Sequence, residues 1–274
     1  VARHGNFTRA SKEVFLTQPA VSMQMRQLER NLGASLFRKS GRDLGLTDAG
    51  EALREHAVRV LASARGAEEA VAAAMGLRRG SLDVGASTTP GIYLLPPLLS
   101  KFRSKYPGIT ATLTIDNSGT VAEKVASGSL DLGFVGWEAD LRDVESRRWC
   151  DDELVVIGPP GTRRMTLEQF TSSRFIQREE GSATRALTEE WFRKHRLDPR
   201  PAMELNSPEA VKRAVAAGLG IAIVSKMAVT WEVADRRLAI VPVPDFPIRR
   251  PLWTVTRKNS PPGPVEAEFL RMAK

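Results

Sequence analysis

Thr17-Gln18-Pro19 constrains this chain more than any other three residues. A Thr there can cap a helix by accepting a backbone N–H, and Pro19 suits a first helical turn, where its missing N–H leaves no bond unmade. From Gln18 the helical pattern runs to about Leu32. Ala20, Met25, Leu28 and Leu32 are the expected buried stripe, which leaves Gln18, Ser22, Met23, Arg26 and Arg30 outside. Upstream, Thr8 is expected to cap a shorter helix carrying Ala10 and Val14 four apart, broken by Phe15-Leu16. Two short helices joined by a tight turn make a helix-turn-helix, whose second helix fits a major groove about 12 Å wide.

The run from Phe37 to Thr47 predicts a hairpin with Gly41 near its tip, a wing that would set Arg38, Lys39 and Arg42 against phosphates or in a minor groove. Residues 1–47 hold eight Lys/Arg against three Asp/Glu, whereas residues 48–79 balance five against five. The positive charge thus gathers where the groove reader is, which says more about an acidic partner than the overall +8 does.

From Asp48 to Leu77 the apolar residues Ala49, Leu53, Ala57, Val60, Ala64, Ala67, Val71 and Ala74 step by four and three in turn. That average, close to 3.5, is the repeat of a coiled coil. Such a helix would run roughly 45 Å and pair with a second copy through its small Ala seam, the alternative being an Ala-rich helix packed on its own domain. Gly76, Arg78-Arg79 and Gly80 end it and predict a hinge at 78–80.

Beyond Ser81 the pattern alternates short apolar runs with helical stretches: LDVGA, helix 91–106, TATLTI, helix 119–127, DLGFV, LVVIG, helix 182–196, AMEL, helix 207–217, GIAIV, LAIVPV, LWTVT and helix 264–273. Strands spaced by helices predict parallel sheets, with ligands outside the carboxyl ends of the strands where helix N-termini gather. Several polar junctions fall on that edge: Ser87-Thr88-Thr89, Asn117-Ser118, Gly136, Gln177-Arg178, Gly181-Ser182 and Asn206. Hydroxyls and unpaired N–H groups there can hold an anion or a small polar ligand, although each Ser, Thr or Asn is also an ordinary N-cap.

Enzyme signatures are sparse. His4, His56 and His195 share no metal-ligand spacing, and Cys150, the only cysteine, is read as buried and inert in a reducing compartment. LVVIGPPGT imitates the start of a Walker A loop, but Arg163-Arg164 stand where Gly-Lys should follow, so a strand ending in a tight turn is expected. Asp151-Asp152-Glu153 reads as a solvated turn rather than an acid–base pair. With no run of about 18 apolar residues, a cytoplasmic protein without cofactor, metal or membrane is expected.

FTRAS, LTQPAVSMQMRQLE, LG-x-x-LF-x-R and LT-x-AG, in this order, resemble the winged helix-turn-helix of LysR-type transcriptional regulators. In that family the domain begins before the position of Val1. The resemblance implies a multidomain α/β protein: residues 1–47 bind DNA, 48–77 form a dimerising linker helix, and a two-lobed domain like periplasmic solute-binding proteins follows. Lobe I would comprise 81–150 and 257–274, lobe II 151–256, with two strands crossing between them. Thr17, Gln18, Pro19, Ser22, Met23 and Arg26 would face bases. Met23 departs from the Arg frequent there and cannot donate to guanine, which leaves a thymine methyl contact open. Thr89 and Ser118 match positions lining the inter-lobe cleft, and REEGSATR resembles members that govern carbon-dioxide fixation or sulfur metabolism. The resemblance therefore implies a regulator of promoter DNA, switched by a small anionic metabolite, assembled as a dimer of dimers and working with RNA polymerase. The rival expectation is a solute-binding receptor with an unrelated helical extension.

Overall fold

In the computed structural model the described residues are 1–2, 4–40, 43–74, 79–199, 201–258, 260 and 262–274, without the side chains of 39, 40, 43, 55, 59, 62, 65, 68–70 and 72–74. The chain divides into two compact units, Val1–Gly66 and Ala67–Lys274.

The first unit contains α1 (Phe7–Glu13), α2 (Gln18–Leu32), β1 (Phe37–Ser40), β2 (Asp43–Leu46) and the start of α3 (Asp48–Ala74). Asn6, not Thr8, caps α1: its Oδ1 accepts from the N–H groups of Thr8 and Arg9 at 2.8 and 3.2 Å. The helix stops at Glu13 because Phe15 takes a left-handed backbone, φ 54°. Thr17 caps α2 as expected, accepting from Ala20 N–H at 3.4 Å, and Gly33 ends it at φ 65°. The buried stripe differs from expectation, since Val21 is the enclosed residue and Leu32 is 49 % exposed.

The Glu29 carboxylate of α2 accepts from the N–H groups of Leu36 and Phe37 at 2.7 and 3.4 Å, which fixes where β1 begins. β1 and β2 pair antiparallel from Phe37↔Leu46 to Ser40↔Asp43. Thr47 then donates to Ser35 O at 2.6 Å and accepts from Gly50 N–H at 3.0 Å. A Cβ at Gly50 would lie 2.1 Å from the Leu36 carbonyl oxygen, so only glycine lets α3 approach the wing this closely. These bonds are the physical content of the spaced QLE, LF and LT-x-AG words. The end of the predicted linker helix at 75–77, and residue 78 of the hinge, lie outside the described residues.

The second unit carries β3 (Gly80–Ser87), a π-helical turn (Pro90–Leu94), α4 (Leu95–Lys105), β4 (Ile109–Asp116), α5 (Ser118–Ala126), β5 (Leu132–Val135) and β6 (Val144–Gly158). After these come α6 (Leu167–Ser172), β7 (Phe175–Arg178), α7 (Ala183–Lys194), β8 (Pro201–Leu205), α8 (Pro208–Ala216), β9 (Ile221–Ser225), a 3-10 turn (Lys226–Val229), α9 (Thr230–Ala234), β10 (Ala239–Ile240), β11 (Ile248–Arg257) and α10 (Pro264–Met272). The single helix expected over 91–106 is instead a wide turn followed by α4. Pro96 and Pro97 in the first turn of α4 have no N–H to donate back, which favours the wider winding before them.

Among the described residues one nine-stranded sheet forms, in the order β4-β3-β5-β11-β6-β9-β7-β8, with β10 beside β6. It is mixed, which corrects the parallel expectation. β3 pairs parallel with β4 and β5, and β7 with β8 and β9, but β11 runs antiparallel to β5 and β6, and β6 to β9. Long β6 and β11 cross from one half of the sheet to the other. Val144 and Val255 belong to a core with Val121, Val125 and Leu130, whereas Leu154 and Val156 belong to one with Phe170, Phe175 and Trp191. Asp151-Asp152-Glu153 is therefore not a solvated turn but the middle of β6, and the LAIVPV run contributes only the two residues of β10. β6 ends at Gly158 in the tight turn anticipated for GPPGT.

Candidate functional site

In the first unit the groove-reading candidates sit on the outside of α2. Gln18, Pro19, Met23 and Arg26 are exposed, Thr17 stands at the cap and Ser22 is half-buried. Arg26 Nε donates to Ser22 O at 3.4 Å, and Gln27 donates to Asn31 at 2.8 Å, so these polar groups lie along the helix surface. On the wing Arg38 is exposed on β1. The Lys39 side chain and all of Arg42 lie outside the described residues.

In the second unit a cavity of about 10 Å³, room for roughly one water, is lined by Ser87, Thr88, Thr89, Asn117, Ser118, Arg178, Ser182, Ala183, Thr184 and Arg250. Its centre is Arg250 on β11. The residue is 3 % exposed, directly across the ladder from Asp152 on β6, and its Nε donates to Asp152 Oδ2 at 2.9 Å. The rest of the guanidinium reaches both ways: Nη1 donates to Thr184 Oγ1 at 3.2 Å and Nη2 to Thr89 Oγ1 at 3.1 Å. Burial pushes the arginine below its ordinary value, and Asp152 opposes that shift. Asp152 is completed by Ser225, whose hydroxyl donates to Oδ1 at 2.8 Å.

Arg178 on β7 is the second cation. Its Nε and Nη2 donate to the two oxygens of neighbouring Glu179 at 2.7 and 2.8 Å, and Nη2 also reaches Thr88 Oγ1 at 3.3 Å. Two adjacent threonines before the π-helical turn thus accept from two arginines on different strands. Thr89 is no N-cap, since it has helical dihedrals and no side-chain capping bond. Asn117 and Ser182 do cap α5 and α7, at 2.8 and 3.5 Å, while Ser118 Oγ accepts from Gly136 N–H at 3.2 Å.

Seven of the eleven sequence candidates come together in this lining: Ser87, Thr88, Thr89, Asn117, Ser118, Arg178 and Ser182. Gly136 stands just behind it, where a Cβ would meet Ala183 at 2.7 Å and Arg250 at 3.3 Å. Gly181, φ +80°, packs against Asn117. Gln177 turns away to donate to Glu189 at 2.8 Å, and Asn206 is exposed and lines nothing here. Gln177 and Arg178 end a strand rather than open a helix. Arg185 on α7 is engaged by Glu189 and Glu204 at 2.7 and 2.8 Å. Thr184 and Arg250 were missed by sequence reading. The available signal was the alternation in IRRPLW, where Arg250 shares the inward phase of Leu252 while Arg249 points out.

Groups outside the cavity have simpler roles. Cys150 is half-buried rather than buried, and burial with nearby Asp152 and Asp151 pushes its thiol up to about 11, far from a nucleophilic thiolate. His195 stacks on Trp191 with ring centroids 4.2 Å apart and bonds Trp191 O and Asp245. His4 bonds Glu13. Among the described residues no three His, Cys, Asp or Glu side chains gather as a metal site, and no helix is long and apolar enough to cross a membrane.

Residues 1–51 match the family model of the bacterial regulatory helix-turn-helix protein, lysR family, and residues 75–274 match the LysR substrate binding domain. This chain belongs to the LysR family. The LysR-type chain is 36 % identical over 275 residues to the HTH-type transcriptional activator CmpR of Synechocystis, covering 98 % of this chain and 90 % of that relative. It is 36 % identical over 274 residues to a RuBisCO operon transcriptional regulator of Allochromatium vinosum, with the same coverages of 98 % and 90 %. The Synechocystis CcmR regulatory domain, solved in complex with 2-PG, aligns at TM-score 0.66 and 30 % identity over 71 % of this chain and 96 % of that one. Full-length CbnR complexed with its target DNA aligns at TM-score 0.66 and 25 % identity over 100 % of this chain and 95 % of that one. The chain is a DNA-binding transcriptional regulator with an effector-binding domain, and the solute-receptor alternative is set aside by the helix-turn-helix match.

Proposed function

We propose that the cavity around Arg250 and Arg178 is the effector site and that its ligand is a small anion bearing phosphate or carboxylate. The observation that carries this reading is the pair of arginines brought from β11 and β7 onto one lining of threonine and serine hydroxyls. A tetrahedral or planar anion can take the Arg178 fork and the hydroxyls together, with the Arg250 charge beside it. The small free volume means that a ligand must part the lining or displace a side chain, and Glu179 is the group to displace. It occupies the Arg178 fork and is itself part-exposed. The CcmR complex with 2-PG supports this class of ligand.

On this reading Gln18, Pro19, Ser22, Met23 and Arg26 discriminate sequence, and Arg38, Lys39 and Arg42 hold phosphates. Val60 and Val71 on α3 are 66 % and 64 % exposed, which supports a linker helix that pairs with a second copy, and beyond it a tetramer. Effector binding would shift the angle between the halves of the sheet and so the spacing of the reading heads before RNA polymerase. Action on promoter DNA supports a cytoplasmic location and a role as binder rather than catalyst.

The test is thermal unfolding of the full chain with 2-PG, inorganic phosphate and a neutral diol. At a hundred times the dissociation constant, a site ligand adds about 2.7 kcal/mol. 2-PG should raise the midpoint, and Arg178→Gln should abolish the rise. No rise with either anion would overturn the anionic effector.

A further inference from the structure

Met23 is 61 % exposed on an outward face of α2 that is, apart from Pro19, otherwise polar. At about 100° per residue, buried Val21 with half-buried Met25 and Leu28 marks one pole of α2, and Met23 falls within about 15° of the opposite pole. Pro19, Arg26, Gln27 and Arg30 flank it, all exposed. The flanking polar groups have partners along the helix: Arg26 on Ser22 O at 3.4 Å, Gln27 on Asn31 at 2.8 Å, and Arg30 on Gln27. Within the first two turns of α2, the side chain nearest that pole is therefore apolar. It is the sixth residue of α2, within the first two turns, where recognition helices carry their base readers.

A helix laid in a major groove brings the pole opposite its core nearest the floor of the groove. On that floor the base edges offer donors, acceptors and one apolar group, the C5 methyl of thymine. A thioether cannot satisfy a donor or acceptor well, and placed against one it would displace water without replacing its hydrogen bonds. Against a methyl it removes apolar surface from water on both sides. Its three rotatable bonds let it reach a methyl slightly off the axis.

We propose that Met23 reads the C5 methyl of a thymine in each half-site, making it a specificity-determining contact of apolar rather than hydrogen-bonding kind. The inference rests on the DNA-binding assignment of the first unit. The flanking arginines keep the phosphate attraction, so the Met23 contribution is independent of salt.

The test begins with duplexes selected from a random pool by the full chain. Each thymine of the selected site is then replaced by deoxyuridine, which removes the methyl and nothing else. At one thymine per half-site the substitution should weaken binding by about fourfold, the worth of one buried methyl. Met23→Ala should bind the thymine site about fourfold more weakly per half-site and no longer distinguish thymine from deoxyuridine there, with the salt slope unchanged. Met23→Leu should restore the discrimination. Because the side chain is exposed, none of these variants opens a cavity. The inference is overturned if Met23→Ala keeps the full thymine preference, or if no thymine of the site is sensitive to loss of its methyl. Recovery of no sequence by the wild-type chain would instead overturn DNA recognition itself.

Discussion

The two units handle their functional groups in opposite ways. Among the described residues of 1–66 only Ala10, Ser11, Val21, Leu36 and Gly50 are buried, and of the described groups proposed to touch DNA all but half-buried Ser22 are exposed. In 67–274 the groups proposed to hold the effector are themselves interior: Thr89, Ser118, Arg178, Ser182, Thr184 and Arg250 are each less than a tenth exposed. A nucleic acid is recognised from outside by charge and shape, so its readers need no enclosure. A small anion has little surface to offer and must be surrounded, which obliges the protein to hold paired charges out of water. In the first unit, then, binding and stability are separable. In the second they are the same bonds.

The strongest attempt to break this contrast is Asp152→Ala. Leaving Arg250 buried without its counter-ion should cost about 3–5 kcal/mol, seen as a fall in the denaturant midpoint of the effector domain. A loss under about 1 kcal/mol would mean that the cavity is not structural.

Next is Glu179→Gln, which removes the negative charge from the Arg178 fork without removing the arginine. Because the pair is part-exposed the expected gain is modest, about fivefold tighter 2-PG by calorimetry. Unchanged affinity would show that Glu179 does not compete with the ligand.

In the first unit, Arg38→Ala should leave the thermal midpoint in place and reduce the salt slope of DNA binding by about 0.9. A shifted midpoint with an unchanged slope would reverse the contrast there.

The smallest effect expected is at His195. Its hydrogen bond to the Trp191 carbonyl, then the one to Asp245, raise it above the ordinary 6.5. A group raised on folding adds stability that is fully present below the unfolded value and is lost as pH rises through the folded one. The stability difference between wild type and His195→Gln should therefore shrink between pH 6 and pH 9. A difference that grows with pH would have the wrong sign.

Legibility in the sequence followed the range of the interactions. The cap at Thr17, the helix to Leu32, the wing and most helix starts were readable because each is decided by neighbours a few residues apart. The misreadings share a cause. Asp151-Asp152-Glu153 has the composition of a turn, and Arg250 goes unremarked, until β6 and β11 lie side by side and Arg250 meets Asp152 across the ladder. Likewise Val21, not Leu32, is the enclosed residue of α2, an outcome set by what packs on the helix and recorded by no pattern within it.

The sequence by itself determined the groove-reading head, the long helix and the alternation of strands and helices behind them, since hydrophobic period, capping and local charge act along the chain. Only the tertiary structure decided the register in which the two crossing strands β6 and β11 pair, and that Arg250 would be the charge at the centre of the cavity. A buried charge is tolerable solely when a partner distant in sequence arrives at hydrogen-bond distance, and that arrival is a property of the register between strands rather than of either strand alone.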